Sequence, residues 1–326
     1  LLELETHDRD RAEALGVTVP SIEQNLQQRA EMLRLVYPKF SSLCDRLFGQ
    51  AEPYLPTLWQ LWLPLAQHLM TQRQALPRPL IQGVLGGQGT GKTTLGKILT
   101  LILQTQGYTL LSWSLDDLYK TYRDRLQLQQ AHPDLIWRGP PGTHDVDLGL
   151  QVMKQLRQAK AGQVIPIPRF DKALHNGMGD RVEPEPVQNI DIVLFEGWFV
   201  GAQPVDPAVF AHAPAPICSD RDRAFAQSCN TRLANYLPLW KTLDSLWVLY
   251  LPDYTLSKQW RQQAEAQMKA SGKPGMTDAE INAFVEYFWK ALHPDLFIRP
   301  AIERANVVIE INSDHSSENV YCGSQA

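Results

Sequence analysis

Gly86-Gly87-Gln88-Gly89-Thr90-Gly91-Lys92-Thr93 is the stretch on which the reading of this chain turns. It fits the spacing G-x-x-x-x-G-K-[ST], in which glycines let the backbone curl around a phosphate with its N–H groups pointing inward. Lys92 is placed to neutralise the outer phosphate oxygens, and Thr93 offers a hydroxyl to a magnesium ion. Thr94 completes the turn, and the helix opening near Lys92 adds the positive end of its dipole. The apolar run at 80–85 ends in glycines, as a buried strand entering a tight turn does. Strand, glycine turn and helix in that order are the context the motif needs. The expectation is a Walker A loop that binds ATP with Mg²⁺.

Working outward, short apolar runs at 108–114, 164–168, 190–195, 245–251 and 306–311 read as further strands. Helical patterns lie between most of them, for example Val146, Leu150, Met153 and Leu156 behind an Asp145 cap. Strands alternating with helices imply an α/β protein with a mainly parallel sheet flanked by helices, the P-loop NTPase fold. Residues 1–76 are helical in pattern. Ser21 with Gln24 suggests a capping box ahead of Ile22, Leu26, Ala30 and Leu33 on one face. A second helix carries Leu58, Leu61, Trp62, Leu65 and Leu69. Pro77-Arg78-Pro79 then punctuates the chain, so the expected organisation is a helical N-terminal extension, 1–76, and a P-loop domain, 77–326. The stretch 171–188 reads as a long exposed loop, a feature that is often functional.

The chain has 326 residues, 44% hydrophobic and 20% charged, with a net charge of −4. A net acidic chain argues against a nucleic-acid or anionic-membrane partner, since either wants a basic face. Cys44, Cys218, Cys229 and Cys322 are scattered without metal-binding spacing, which suits thiols in a reducing compartment. No apolar run approaches the ~18 residues of a membrane span. The acidic start, 1–10, is unlike a signal peptide. A cytoplasmic protein is expected, or a stromal one if the source is a plant; the oligomeric state is left open.

Two other strands end in acids, at Ser114-Leu115-Asp116-Asp117-Leu118-Tyr119 and Leu194-Phe195-Glu196-Gly197-Trp198. In open α/β sheets the ligand sits beyond the C-terminal strand ends. A carboxylate at the first position suits a base that takes the proton of an attacking hydroxyl. One at the second suits Mg²⁺. An Asp after a strand is also a common helix cap, a reading that weighs more on Asp117 than on Asp116.

These motifs resemble the uridine kinase, pantothenate kinase and phosphoribulokinase group of P-loop kinases. Within that group, Arg138-Gly139-Pro140-Pro141-Gly142-Thr143-His144-Asp145, Arg169-Phe170-Asp171-Lys172, Glu196-Gly197-Trp198 and Gly275-Met276-Thr277-Asp278 resemble the D-glycerate 3-kinases of plants and cyanobacteria. The resemblance runs from about residue 80 to the C-terminus. It implies phosphorylation of D-glycerate to 3-phosphoglycerate, the step of photorespiratory carbon recovery, with Asp116 as base and Glu196 near Mg²⁺. Leu118 stands where the group has an aromatic, and Phe170 where the branch has a tyrosine. The anionic substrate would be clamped by Arg138, Arg169 or both, with Lys172 nearby and Tyr119 and His144 orienting its hydroxyl end. A helical lid over about 254–291 is implied, with Arg261 and then Lys273 as the cations that meet the transferring phosphoryl group. The aromatic cluster Phe284, Tyr287, Phe288 and Trp289 reads as packing. The alternatives are a P-loop kinase of a pantothenate- or nucleoside-like metabolite and, in another class, an ATP-binding regulatory module.

Overall fold

A computed structural model describes residues 9–17, 21–49, 52–270, 275–317 and 319–323. Its central sheet has six strands in the order β2-β5-β1-β6-β7-β8. These are β1 Leu80–Gly86, β2 Leu110–Ser114, β5 Ile192–Gly197, β6 Ser245–Tyr250, β7 Val307–Glu310 and β8 Val320–Tyr321. The first five run parallel, and β8 alone lies antiparallel, against β7. Every residue of β1 is buried, which is what a parallel strand covered on both faces requires. Alternation divides its side chains between two cores. Ile81 and Leu85 meet Trp113, Val193 and Phe195 on one face, while Leu80 and Val84 meet Ile192, Leu194 and Trp247 on the other.

The second face is covered by the helix after the glycine loop, Lys92–Thr105, together with the N-terminal helices Ile22–Phe48 and Leu63–Gln74. The buried stripe of Ile22–Phe48 runs through Arg29, Met32, Val36, Phe40 and Cys44. This corrects the expected face, because Ala30 is exposed and Leu26 and Leu33 are only half-buried. From Met32 onward the buried positions recur every four residues, and that stripe is the one that packs. Ser21 precedes the helix in a helical conformation without the expected side-chain cap bond; instead Asn25 donates to its carbonyl at 2.8 Å. Leu58, Leu61, Trp62, Leu65 and Leu69 are all buried, as the period predicts.

Two expectations from the sequence change. The run at 164–168 does form a strand, β3 (Ile165–Asp171), but outside the central sheet. It pairs antiparallel with β4 (Asp180–Val187) in a separate ribbon. Half of the supposed loop 171–188 is therefore strand. β4 carries Glu183-Pro184-Glu185-Pro186 on a mostly exposed strand, so no apolar alternation betrays it. After β6, helices Leu256–Ala270 and Asp278–Ala291 form a hairpin; Lys273 lies outside the described residues. Among the described residues no helix is long and apolar enough to cross a membrane.

Candidate active site

The strand order brings three motifs to one edge. β5 lies between β1 and β2, and Glu196 is level with Val84 on one side and Ser114 on the other. The glycine loop leaves the C-terminal end of β1, Asp116 sits just beyond β2, and Glu196 closes β5. This is the ligand-facing edge of an open parallel sheet.

The loop is built for close approach. Gly89 has φ of +82°, and a Cβ there would lie 2.6 Å from the Trp260 ring. A Cβ on Gly86 would lie 2.6 Å from the Thr90 hydroxyl, which itself donates to the Gly87 carbonyl at 2.9 Å. Lys92 folds over this turn, its Nζ donating to the Gly86 and Gly87 carbonyls at 2.7 Å each. Burial lowers the Lys92 ammonium below its ordinary range, and the negative charges of Glu196 and Asp116 oppose that shift. Thr93 is exposed at the loop mouth, whereas Gln88 and Thr94 are half-buried. Glu196 is only 9% exposed. Burial raises its carboxyl, while Lys92 and a hydrogen bond from the Ser114 hydroxyl work against the rise. The Thr93 hydroxyl and the Glu196 carboxylate are hard oxygen donors of the kind that suit a cation keeping several waters and phosphate ligands.

The paired acids divide their work. Asp117 turns back onto the chain: it accepts from the Ser114 amide at 3.3 Å, completing a capping box, and pairs with Arg169 at 2.8 Å. Asp116 faces the loop side, where Lys172 Nζ reaches it at 2.6 Å and the Tyr119 hydroxyl donates to it. Burial pushes the Asp116 carboxyl up, but the Lys172 charge and the hydrogen bonds from Lys172 and Tyr119 more than reverse this and hold it below the usual carboxylate range.

His144 is 2% exposed and stacks on Tyr119 at 4.5 Å between ring centroids. The Tyr236 hydroxyl accepts the Gly142 amide at 2.9 Å and lies 2.8 Å from His144 Nδ1. The other ring nitrogen, Nε2, is buried with no hydrogen-bond partner among the described residues. Burial lowers the His144 pKa to about 3, against the pull of Asp116, so the ring is neutral.

The loop cations separate into two groups. Arg138 lies over the rings of Tyr119 and Phe170, at 5.9 and 5.6 Å, and both its bonds to the ribbon tip, to the Gly177 and Met178 carbonyls, come from Nη1. Lys172 reaches Asp116. Arg169, by contrast, is held by Asp117 and, at 2.7 Å, by Glu185. Its fork fastens the ribbon to the sheet edge, at the place where the sequence reading expects a clamp on a substrate carboxylate. Arg261 is likewise committed: it pairs with buried Glu265 at 2.5 Å and lies over Phe284 at 5.2 Å, bracing the helical hairpin. The packing reading holds for Phe284, Tyr287 and Phe288, which join the core beside Trp198; Trp289 stands outside both cores, edge-on to Tyr254, and lines a pocket that reaches Gly87 and Gln88.

Sequence reasoning missed three contributors. Tyr236 fixes His144 from 92 residues away. Arg181 pairs with Asp145 at 2.8 Å and donates to the Tyr119 carbonyl at 2.8 Å. Arg125, buried, bonds to the Met178 and Gly179 carbonyls at 2.6 Å. None sits in a local pattern, and only the fold could reveal them.

A glycine cradle, a buried acid and a second carboxylate converging on one edge of a parallel sheet define a P-loop kinase. Comparison with known proteins narrows this. The chain is 32% identical to the chloroplastic D-glycerate 3-kinase of Arabidopsis thaliana over 231 residues, 67% of this chain and 49% of that protein. It is 31% identical to an uncharacterised kinase of Schizosaccharomyces pombe, over 65% of this chain and 79% of that one. A solved structure of D-glycerate 3-kinase from Cryptococcus neoformans superposes with a TM-score of 0.71 at 29% identity, covering 80% of this chain and 98% of that one. No family model matches. The chain belongs to the family of P-loop kinases that includes D-glycerate 3-kinase, and it spans about half the length of the plant relative (49%).

Proposed function

We propose that this chain phosphorylates the 3-hydroxyl of D-glycerate with ATP, giving 3-phosphoglycerate and ADP. The observation that carries this reading is the Asp116 cluster. A carboxylate bonded by Lys172 and Tyr119 stands beside the glycine loop, next to a buried His144 whose Nε2 has no partner among the described residues. A buried polar atom left unpaired costs about 1–3 kcal/mol, so the site suits a hydroxyl or carboxylate oxygen that arrives with the substrate. A small hydroxy acid brings such oxygens, and the names of the relatives supply the particular one.

In this mechanism the loop amides and Lys92 hold the outer phosphates, and Thr93 with Glu196 forms the Mg²⁺ site. Bound Mg·ATP supplies the phosphoryl group and part of the neutralising charge. Asp116, kept ionised by Lys172, accepts the proton of the attacking hydroxyl. His144 Nε2 hydrogen-bonds a substrate oxygen, and the free edge of Arg138 with Lys172 meets the carboxylate. Positioning and charge stabilisation supply the rate gain. Residues 77–326 form the catalytic unit in this reading, with the helices of 254–291 as its lid. For a photosynthetic source, photorespiratory carbon recovery in the stroma or cytoplasm is the proposed setting.

The test is product analysis by NMR or mass spectrometry after incubation with ATP, Mg²⁺ and a substrate panel. 3-Phosphoglycerate from D-glycerate is the expected product. ATP turnover that D-glycerate leaves unchanged, but uridine or pantothenate accelerates, would sink the assignment.

A further inference from the structure

The N-terminal helices carry no catalytic motif, yet they share a cavity with the glycine loop. A cavity of about 620 Å³ opens on the loop at Gly89, Thr90 and Gly91, within the roughly 300–1,000 Å³ range of small-molecule sites. Its floor is the helix after the loop, at Thr94, and one wall is the turn bearing Asp314 and His315. The opposite wall is aromatic and comes wholly from the N-terminal region: Phe48, Tyr54 and Trp62.

Three observations give this cavity an occupant. It includes none of Lys92, Asp116 and Glu196, so it lies to the side of the loop away from the acceptor carboxylates. A nucleotide whose terminal phosphate points toward Asp116 must send its other end away from them. The aromatic wall is ordered: Tyr54 stacks on Phe48 at 4.2 Å and 27°, and runs near-parallel to Trp62 at 6.5 Å and 20°. The helix widens into a π turn at Leu58–Trp62, a distortion frequent at functional sites, and it ends on Trp62. The facing turn is also fixed. Asn312 bonds Ser316 twice, at 2.9 Å through both backbone and side chain. His315, at φ of 65°, stacks on Trp260 at 4.1 Å, and Trp260 in turn abuts Gly89.

We propose that the N-terminal helices are part of the nucleotide site, with Tyr54 and Trp62 forming the wall against which the nucleoside half of ATP packs. This deepens the kinase reading and rests on it. An aromatic face suits a purine, and the Thr94 hydroxyl and the Asp314 carboxylate suit ribose and amino groups.

The experiment is calorimetric titration of the full chain with ADP and, separately, with pyrophosphate, which lacks the nucleoside. Tyr54→Ala is expected to weaken ADP by about tenfold, the scale of one base–aromatic contact, and to leave pyrophosphate within twofold. Thr57→Trp, which puts bulk into the same cavity without removing an aromatic, is expected to weaken ADP at least as much with pyrophosphate again unmoved. ADP affinity unchanged in both variants overturns the proposal, as does an equal loss for ADP and pyrophosphate. If the unaltered chain bound pyrophosphate but not ADP, the kinase reading would fall with it. D-Glycerate plays no part in these titrations, so an error about the acceptor leaves their outcome untouched.

Discussion

The sheet edge and the β3–β4 ribbon meet at Asp116, yet they are built on opposite principles. The edge is made of buried parallel strands whose register alone sets Glu196 level with Ser114 and places both beside the glycine loop. β4 is largely exposed while β3 tucks Ile165 and Ile167 into the core, and the ribbon is further anchored through guanidinium groups: Arg169 to Asp117, Arg125 and Arg138 to its tip, Arg181 to Asp145. The edge holds the groups proposed for phosphoryl transfer, and the ribbon brings Lys172 to the acceptor side. In the proposed mechanism, chemistry common to many substrates belongs to the parallel sheet edge, and the choice of substrate to groups on the ribbon and its neighbouring loops.

That division can be broken by mutation. Asp116→Asn removes the base from the edge and is expected to lower kcat by ~10²–10⁴, with ADP affinity by titration within twofold of the parent. A loss below tenfold would remove Asp116 from that role. Next in size is an acid effect at His144. Its folded pKa of about 3 lies below the ordinary 6.5, so the unfolded chain binds the extra proton between those values and stability drops as pH falls through that window. Going from pH 7 to 5 should cost on the order of 2 kcal/mol through this residue. Denaturant melts of His144→Gln at both pH values should show a correspondingly smaller acid loss than the parent.

The ribbon gives smaller effects. Lys172→Met takes a cation from Asp116, whose carboxyl pKa must then rise. The acid limb of the kcat/KM profile should move to higher pH, and KM for D-glycerate should increase by roughly tenfold, the scale of one lost charged hydrogen bond. An unmoved acid limb would show that Lys172 does not govern the base. Arg169→Ala is the finest probe. It leaves half-buried Asp117 without its partner and should lower stability by about 1–2 kcal/mol, read as a drop in Tm, while KM for D-glycerate stays within about threefold, far short of a lost clamp. A large rise in KM at unchanged Tm would restore Arg169 to the substrate pocket.

The same contrast explains what could be read from the sequence. The glycine loop and the central strands were legible because their signals are local: an apolar run, fixed glycine spacing, a lysine, a following helix. The choice between Asp116 and Asp117 was half legible. Both follow β2, and only the capping box with the Ser114 amide and the Arg169 pair show which one turns inward to the chain. β4 was not legible, since its exposed Glu-Pro alternation carries no burial pattern. Arg181 and Tyr236 were not legible either, because their partners lie 36 and 92 residues away in the chain. Residues 1–76 gave helices but no hint of a ligand, as an aromatic wall has no motif.

The posture of Lys92 carries a last consequence. With its ammonium shared between two carbonyls of its own turn, Lys92 is satisfied from within the loop. An incoming anion must therefore swap partners with the backbone, so measured affinity reports a difference between two satisfied arrangements. The chain should keep its fold through extensive dialysis against phosphate-free buffer.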